Sequence, residues 1–182
     1  SQDNTFTFKG KVYFSTKPLK GATIEVYGSG DLIYETTSKG SGKFQFDLKS
    51  EKQYMVEVSM ENMRLKTIWI NTKRTKDADV KIPVFAFDVY LEEEAITPYD
   101  ELSELPVTLV KYQVKKKVFY MDKAYTQVIK SKKKEIKEED EGGHIIENEE
   151  ETKTFNLGDD EWKRRYHLVI TAKNRKGLNN LF

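Results

Sequence analysis

Apolar and polar residues alternate along most of about the first ninety residues, as expected of β-strands with one buried face. Phe44, Phe46 and Leu48, for example, share one face of a predicted strand. Residues 65–71 carry apolar side chains in both phases, which predicts a strand buried on both sides. Alternating segments precede this strand at residues 5–14, 22–27, 44–48 and 54–58, and residues 32–37 are predicted as a further short strand. Short strands with turn residues between them predict an antiparallel β-sandwich.

A spaced set of glycine, proline and apolar residues punctuates these strands: Gly10, Val12, Pro18, Leu19, Gly21, Ala22, Ile24, Val26, Thr36, Gly42, Phe44, Phe46 and Tyr54. This set resembles the carboxypeptidase regulatory-like domain over about residues 6–72. The resemblance implies a transthyretin-like, immunoglobulin-like sandwich of the kind abundant in exported envelope proteins of Bacteroidota-type bacteria. Ser38 departs from the family, which often has Asp or Asn there, and this weakens the idea of an ion-binding loop. The family has no catalytic residues, so the resemblance carries none over.

A second, smaller β-rich unit is predicted over residues 79–134, after a sandwich over residues 1–78. In residues 79–94 the alternation shifts phase after Pro83, which indicates a bulge or a break in the strand. Pro106 opens a further strand, and Lys115, Lys116 and Lys117 predict a turn or an exposed edge before residues 118–121 resume the pair. The predicted fold class is therefore mainly β, a sandwich followed by a smaller β-rich unit.

One helix is predicted over residues 122–136, with Asp122 as its cap. Its apolar stripe of period 3.6 consists of Tyr125, Val128, Ile129, Lys132 and Ile136. A strand over residues 124–129 fits the same segment, so both alternatives stay open at this point.

Residues 135–182 are predicted to be an acidic linker followed by a docking C-terminal segment. Residues 135–151 are strongly acidic, whereas Trp162 and Tyr166 lie in a later segment that alternates like a strand and has basic neighbours. We expect this segment to dock on the body of the chain or on a partner.

The composition excludes several kinds of site. The chain has no cysteine, so it has neither disulfides nor thiolate metal ligands. His144 and His167 lack metal-ligand spacing, and the acidic runs hold no fixed pair of carboxylates, so we expect no catalytic residue, no metal and no cofactor. The net charge of +1 and the acidic block beside the lysines of residues 111–134 argue against a nucleic-acid partner.

The sequence therefore favours a non-catalytic protein that acts through its surface. We expect an accessory or scaffold subunit of a cell-envelope assembly for secretion, motility or uptake, with a protein partner. The chain starts without Met, as signal-peptide removal or tag cleavage would leave it, and no apolar run is long enough to span a bilayer. The expected location is the periplasm or the outer-membrane periphery, where an outer-membrane-associated complex would fit.

Aromatic residues are the candidates for partner contact: Trp69, Tyr99, Trp162 and Tyr166, with Tyr90 also expected to be exposed. For each of them, packing inside the fold is an equally good interpretation. The alternative function is a glycan- or peptidoglycan-binding module. It requires clustered tyrosine or tryptophan rings that face the solvent.

Overall fold

The alternating segments form the strands of a β-sandwich in a computed structural model, which describes residues 5–73, 82–94 and 105–142, with side chains described to residue 134. These residues contain ten strands and one helix. The strands are β1 (Thr5–Phe14), β2 (Lys17–Pro18), β3 (Thr23–Gly28), β4 (Asp31–Thr37), β5 (Lys43–Lys49), β6 (Gln53–Ser59), β7 (Lys66–Asn71), β8 (Phe85–Leu91), β9 (Thr108–Gln113) and β10 (Val118–Met121), and the helix is α1 (Lys123–Gly142). The structure confirms the predicted fold class as mainly β and sandwich-like.

The described strands form two sheets. In the first sheet, β1 lies between β5 and β8, and β2 pairs with the end of β1. The second sheet has the strand order β10-β9-β7-β6-β3-β4. Most pairs are antiparallel, as predicted, but β1 pairs with β8 in parallel and β7 pairs with β9 in parallel. Both sheets are therefore mixed, because strands late in the chain align with strands from the first half.

The main core lies between the two sheets and is built from both halves of the chain. Phe8, Val12 and Ile24 are fully buried there, as is Val110 from a later strand, and Val89 is 5% exposed. The predicted boundary at residues 78 and 79 lies outside the described residues. The described strands of the region predicted as a second unit complete the two sheets and share this core.

Burial along single strands follows the sequence pattern. In β5 every second residue is buried, because one face packs into the main core and the other faces the solvent. In β7 the residues from Lys66 to Ile70 are all buried, as predicted for a strand covered on both sides. In β8, Phe87, Val89 and Leu91 are buried, which matches the phase predicted after Pro83; the earlier part of that predicted segment falls largely outside the described residues.

The segment after β10 is a helix and not a strand. The carboxylate of Asp122 accepts a hydrogen bond from the backbone N–H of Tyr125 (3.1 Å), which confirms the predicted cap. Tyr125 and Ile129 are buried against the outer face of the second sheet, whereas Val128 is 37% exposed. The buried stripe of the helix is thus narrower than the sequence predicted.

Gly10 of the spaced set and Ser38, the position that departs from the family pattern, both fix the local backbone arrangement. A Cβ atom at Gly10 would lie 2.0 Å from the carbonyl oxygen of Phe87, so only glycine allows β1 and β8 to approach this closely. Ser38 is buried, donates a hydrogen bond to the Leu19 carbonyl (2.7 Å) and accepts one from the Ala22 N–H (3.0 Å). Ser38 therefore ties two segments together.

Candidate functional site

Trp69, the sequence-predicted contact residue within the described residues, lies in a second core. It is only 6% exposed and packs with Met55, Leu109, Tyr125 and Ile129 under helix α1. Its indole Nε1 is buried and has no hydrogen-bond acceptor among the described residues. The ring of Trp69 is thus an internal packing element in this structure. Tyr99, Trp162 and Tyr166 lie outside the described residues.

The largest run of exposed apolar side chains is instead on strand β4. Leu32, Ile33 and Tyr34 are 48%, 51% and 41% exposed, although they follow one another within one strand. Most of the strand is exposed on both faces, since β4 lies at one end of the second sheet and pairs only with β3 among the described residues. One edge of a seven-residue strand is therefore open to the solvent.

Strand β4 is held in place by β3 and, on the other side of the sandwich, by β5. Tyr34 donates a hydrogen bond to the Gln45 carbonyl (3.4 Å), and its ring centroid lies 6.5 Å from that of Phe46. The register between β3 and β4 shifts between Val26 and Tyr27, so Ile33 has no directly opposed partner. This bulge leaves the Ile33 side chain at the surface.

A second exposed aromatic feature is the ring pair formed by Tyr13 and Tyr90 on the outer face of the first sheet. The two residues are direct neighbours in the parallel β1–β8 pair. Their ring centroids are 5.2 Å apart and the planes are inclined by 16°, so the rings stack. Tyr90 is 56% exposed, in agreement with the prediction that it faces the solvent.

The best-defined charged contacts are two ion pairs. Lys66 Nζ lies 2.9 Å from Glu92 Oε2, and Lys111 Nζ lies 3.0 Å from Asp122 Oδ2. Burial by itself would raise the pKa of Glu92, but the Lys66 hydrogen bond and the nearby cations Lys66, Lys133 and Arg64 outweigh it, so this pKa is lowered.

Asp122 is affected in the same way. Burial opposes ionisation of its carboxyl, and the hydrogen bonds from the backbone of Tyr125 and from Lys111 reverse this effect, so the pKa of Asp122 lies below its usual value. Both carboxylates are held in the charged form beside a lysine. This arrangement stabilises the structure and does not pair a general acid with a general base.

In the described part of the chain, no group of three or more His, Asp or Glu side chains lies close enough to hold a metal ion. In the same part of the chain, no helix combines the length and the apolar character needed to cross a membrane. Among the described residues, the exposed side chains of β4 and the tyrosine pair offer apolar surface for binding.

Comparison with known proteins yields similarity in fold only. No protein-family model matches the chain, and no curated protein matches it. The matching solved structures include the Bacillus anthracis TIE protein, with 11% identity, a TM-score of 0.39 and coverage of 49% of this chain and 17% of that one. A catechol 1,2-dioxygenase from Acinetobacter sp. has 13% identity and a TM-score of 0.38, with coverage of 51% and 54%.

The major pilin SpaD from Corynebacterium diphtheriae has 14% identity and a TM-score of 0.38, with coverage of 50% of this chain and 31% of the pilin. The chain therefore spans less than two thirds of the length of these proteins. Identities and TM-scores this low transfer no activity, ligand or partner to this chain. The sandwich itself is established by the strand pairing described above.

Proposed function

We propose that this chain is a non-catalytic binding module that serves as an accessory or scaffold subunit in a cell-envelope assembly. The observation that carries the proposal is the open edge of β4, with Leu32, Ile33 and Tyr34 exposed in sequence. An open edge can accept a strand from another protein, because its free N–H and C=O groups supply hydrogen bonds while alternate side chains supply specificity.

The chemistry of β4 indicates what kind of strand it accepts. Its exposed charges are Asp31 and Glu35, and Glu25 of β3 lies directly opposite Glu35. Edges that avoid pairing usually carry lysine or proline, and β4 has neither. We therefore expect an extended partner segment with apolar side chains at alternate positions and at least one Lys or Arg facing the glutamates.

The bulge at Val26 and Tyr27 favours a specific partner over unspecific edge-to-edge aggregation. A bulge increases the local twist and interrupts the regular spacing of hydrogen bonds, which disfavours stacking of identical flat edges. A partner that matches this twisted edge would bind, whereas an arbitrary strand would pair poorly. This supports a dedicated protein partner.

The envelope location is part of the proposal and is supported by the resemblance of residues 6–72 to exported carboxypeptidase regulatory-like domains. The absence of cysteine is compatible with such a location but does not select it. We propose export to the periplasm or the outer-membrane periphery, with the partner in a secretion, motility or uptake assembly.

Site-specific crosslinking tests the proposal. A photo-crosslinking residue is placed at Ile33 in one variant and at Leu65, an exposed apolar residue outside β4, in another. Both tagged chains are expressed in the native organism and irradiated. The proteins crosslinked to each chain are then identified by mass spectrometry. We expect one stoichiometric envelope protein to crosslink at position 33 and not at position 65.

Charge substitution supplies the matched control. Ile33→Lys should abolish capture of that protein, because a lysine on the edge opposes strand addition, whereas Leu65→Lys should leave capture unchanged. Both variants should keep the melting temperature of the original chain, since both side chains face the solvent. Equal capture by the two lysine variants, or crosslinking only to cytosolic proteins, would contradict the proposal.

A further inference from the structure

The tyrosine pair Tyr13–Tyr90 has properties that the β4 edge does not share. The two rings lie on the outer face of the first sheet and stack on each other, so the second face of the Tyr90 ring is turned away from Tyr13. Because β8 is at the edge of this sheet, no described strand lies beyond Tyr90. One phenol ring thus presents an open aromatic face together with a hydroxyl group.

Polar side chains lie beside this ring pair. Lys11 and Asp88 are neighbours across β1 and β8, two residues before the tyrosines on the same face. Lys43 of β5 lies opposite Lys11, on the side of β1 that faces away from β8. Pro18 is opposite Tyr13 and extends the apolar end of the row. An ammonium donor and a carboxylate acceptor therefore flank an aromatic surface.

The size of the patch argues for a small ligand and against a protein. A stable protein interface buries about 800 Å² on each partner, whereas an aromatic side chain contributes about 150–250 Å² even when fully buried. Beyond the tyrosines, the outer face of the first sheet is formed by exposed polar and charged residues such as Lys9, Gln45 and Lys49. The apolar area is sufficient for one flat ring of a ligand.

We propose that Tyr90, supported by Tyr13, is a stacking site for a pyranose ring with equatorial substituents in a glycan. A sugar whose substituents are equatorial has a flat face of C–H groups that packs on an aromatic ring, and its hydroxyl groups both donate and accept hydrogen bonds. Asp88 provides the acceptor and Lys11 the donor for those hydroxyls. An exposed tyrosine ring stacked on a half-buried one provides part of the aromatic platform that a glycan-binding module requires.

The position of this site would allow it to act together with the β4 edge. Strand β4 contacts β5 on one side of the sandwich, through Tyr34 and Phe46. Strand β8 lies on the other side of β1, where Phe85 contacts Phe119 of β10. A glycan on Tyr90 and a protein strand on β4 would therefore occupy opposite edges. The glycan site rests on its own observations and stands or falls independently of the β4 proposal.

Saturation-transfer NMR with the β-1,4-linked tetramer of N-acetylglucosamine tests this inference on the full chain. We expect transfer to the sugar C–H protons, and chemical-shift titration should give a dissociation constant on the order of 1 mM, as for a single stacking contact with few hydrogen bonds. Tyr90→Leu, which keeps an apolar side chain but removes the aromatic face, should weaken binding at least about tenfold.

The matched control is Tyr120→Leu, because Tyr120 is an exposed tyrosine on β10, outside the pair. It should bind the tetramer as the original chain does. Tyr90→Trp should bind at least as tightly as the original chain, and it shows that the position tolerates substitution. Absence of transfer with the original chain, or equal binding by Tyr90→Leu and Tyr120→Leu, would overturn the proposal.

Discussion

The two apolar cores of this molecule differ in what covers them. The main core lies between two sheets, and strands from both halves of the chain close it: β8 beside β1, and β9 beside β7. The second core lies on the outer face of the second sheet and is covered by helix α1 through Tyr125 and Ile129. The first core is thus enclosed between two sheets, whereas the second is covered by a single helix.

Polar contacts attach the helix in addition to the buried side chains of Tyr125 and Ile129. Tyr125 donates its hydroxyl hydrogen to the Pro106 carbonyl (2.7 Å), and the hydroxyls of Thr108 and Thr126 lie 3.0 Å apart. Beneath them, the buried Nε1 of Trp69 has no hydrogen-bond acceptor among the described residues. Because the helix lies outside the two sheets that enclose the main core, we expect the main core to determine global stability and the helix to detach at lower cost.

The largest expected effect is in the main core, at Phe8. Its ring is fully buried and contacts the rings of Phe46 and Phe119, which belong to different sheets. Phe8→Ala should lower the free energy of unfolding by about 3–5 kcal/mol. Lys9→Ala, the exposed neighbour on the same strand, should change it by less than about 0.5 kcal/mol. Chemical denaturation measures both, and similar values for the two variants would contradict a core between the sheets at this point.

A smaller and more local effect is expected at Ile129, which anchors the helix over Trp69. Ile129→Ala should cost about 2 kcal/mol, the lower end for such substitutions, because the helix can detach without opening the main core. Hydrogen exchange should therefore accelerate in α1 and the adjacent β9 while β1 and β5 keep their protection.

The control for this experiment is Val128→Ala on the same helix. Val128 is 37% exposed and Ile129 only 6%, so truncation of Val128 should change the exchange of α1 far less. Faster exchange throughout β1 in the Ile129→Ala variant would show that the two cores unfold as one unit. That result would remove the distinction drawn between them.

Strand positions could be predicted because burial alternates locally. The phase of β5 and the two-sided burial of β7 are both evident from residue order, since each depends on which face of a strand meets a core. Pairing partners could not be predicted in the same way. Gly10 allows the close approach of Phe87, yet the two residues are far apart in the chain and neither residue specifies the other.

The two candidate surfaces also differ in whether the sequence could predict their exposure. The exposure of Tyr90 followed from alternation within its strand, because its neighbours Val89 and Leu91 belong to the core. The exposure of Leu32, Ile33 and Tyr34 could not be predicted, because a strand becomes an edge only through the order of strands in its sheet. Trp69 was an ambiguous candidate because the helix that covers it comes from a segment for which a strand was also an acceptable prediction.

The smallest expected effect concerns Asp122, which caps the helix and pairs with Lys111. Because the pKa of Asp122 is lowered in the folded chain, folding favours the carboxylate. Its contribution is fully present above the usual Asp pKa of about 3.9 and is lost as the pH falls through the lower, folded-state pKa. Near neutral pH, Asp122→Ala should cost about 1 kcal/mol, since the cap is removed.

Asp122→Asn separates the charge from the cap, because asparagine also caps helices. At neutral pH it should cost less than Asp122→Ala, and its difference from the original chain should disappear at acid pH, where the protonated carboxyl resembles the amide. The Asp122→Ala difference should persist there in part, since the protonated carboxyl can still accept the Tyr125 N–H. Denaturation at several pH values measures the free energy of unfolding of each variant, and hydrogen exchange measures the opening of α1. If the stability difference between Asp122→Asn and the original chain grew on acidification, the proposed role of the charge in attaching α1 would be contradicted.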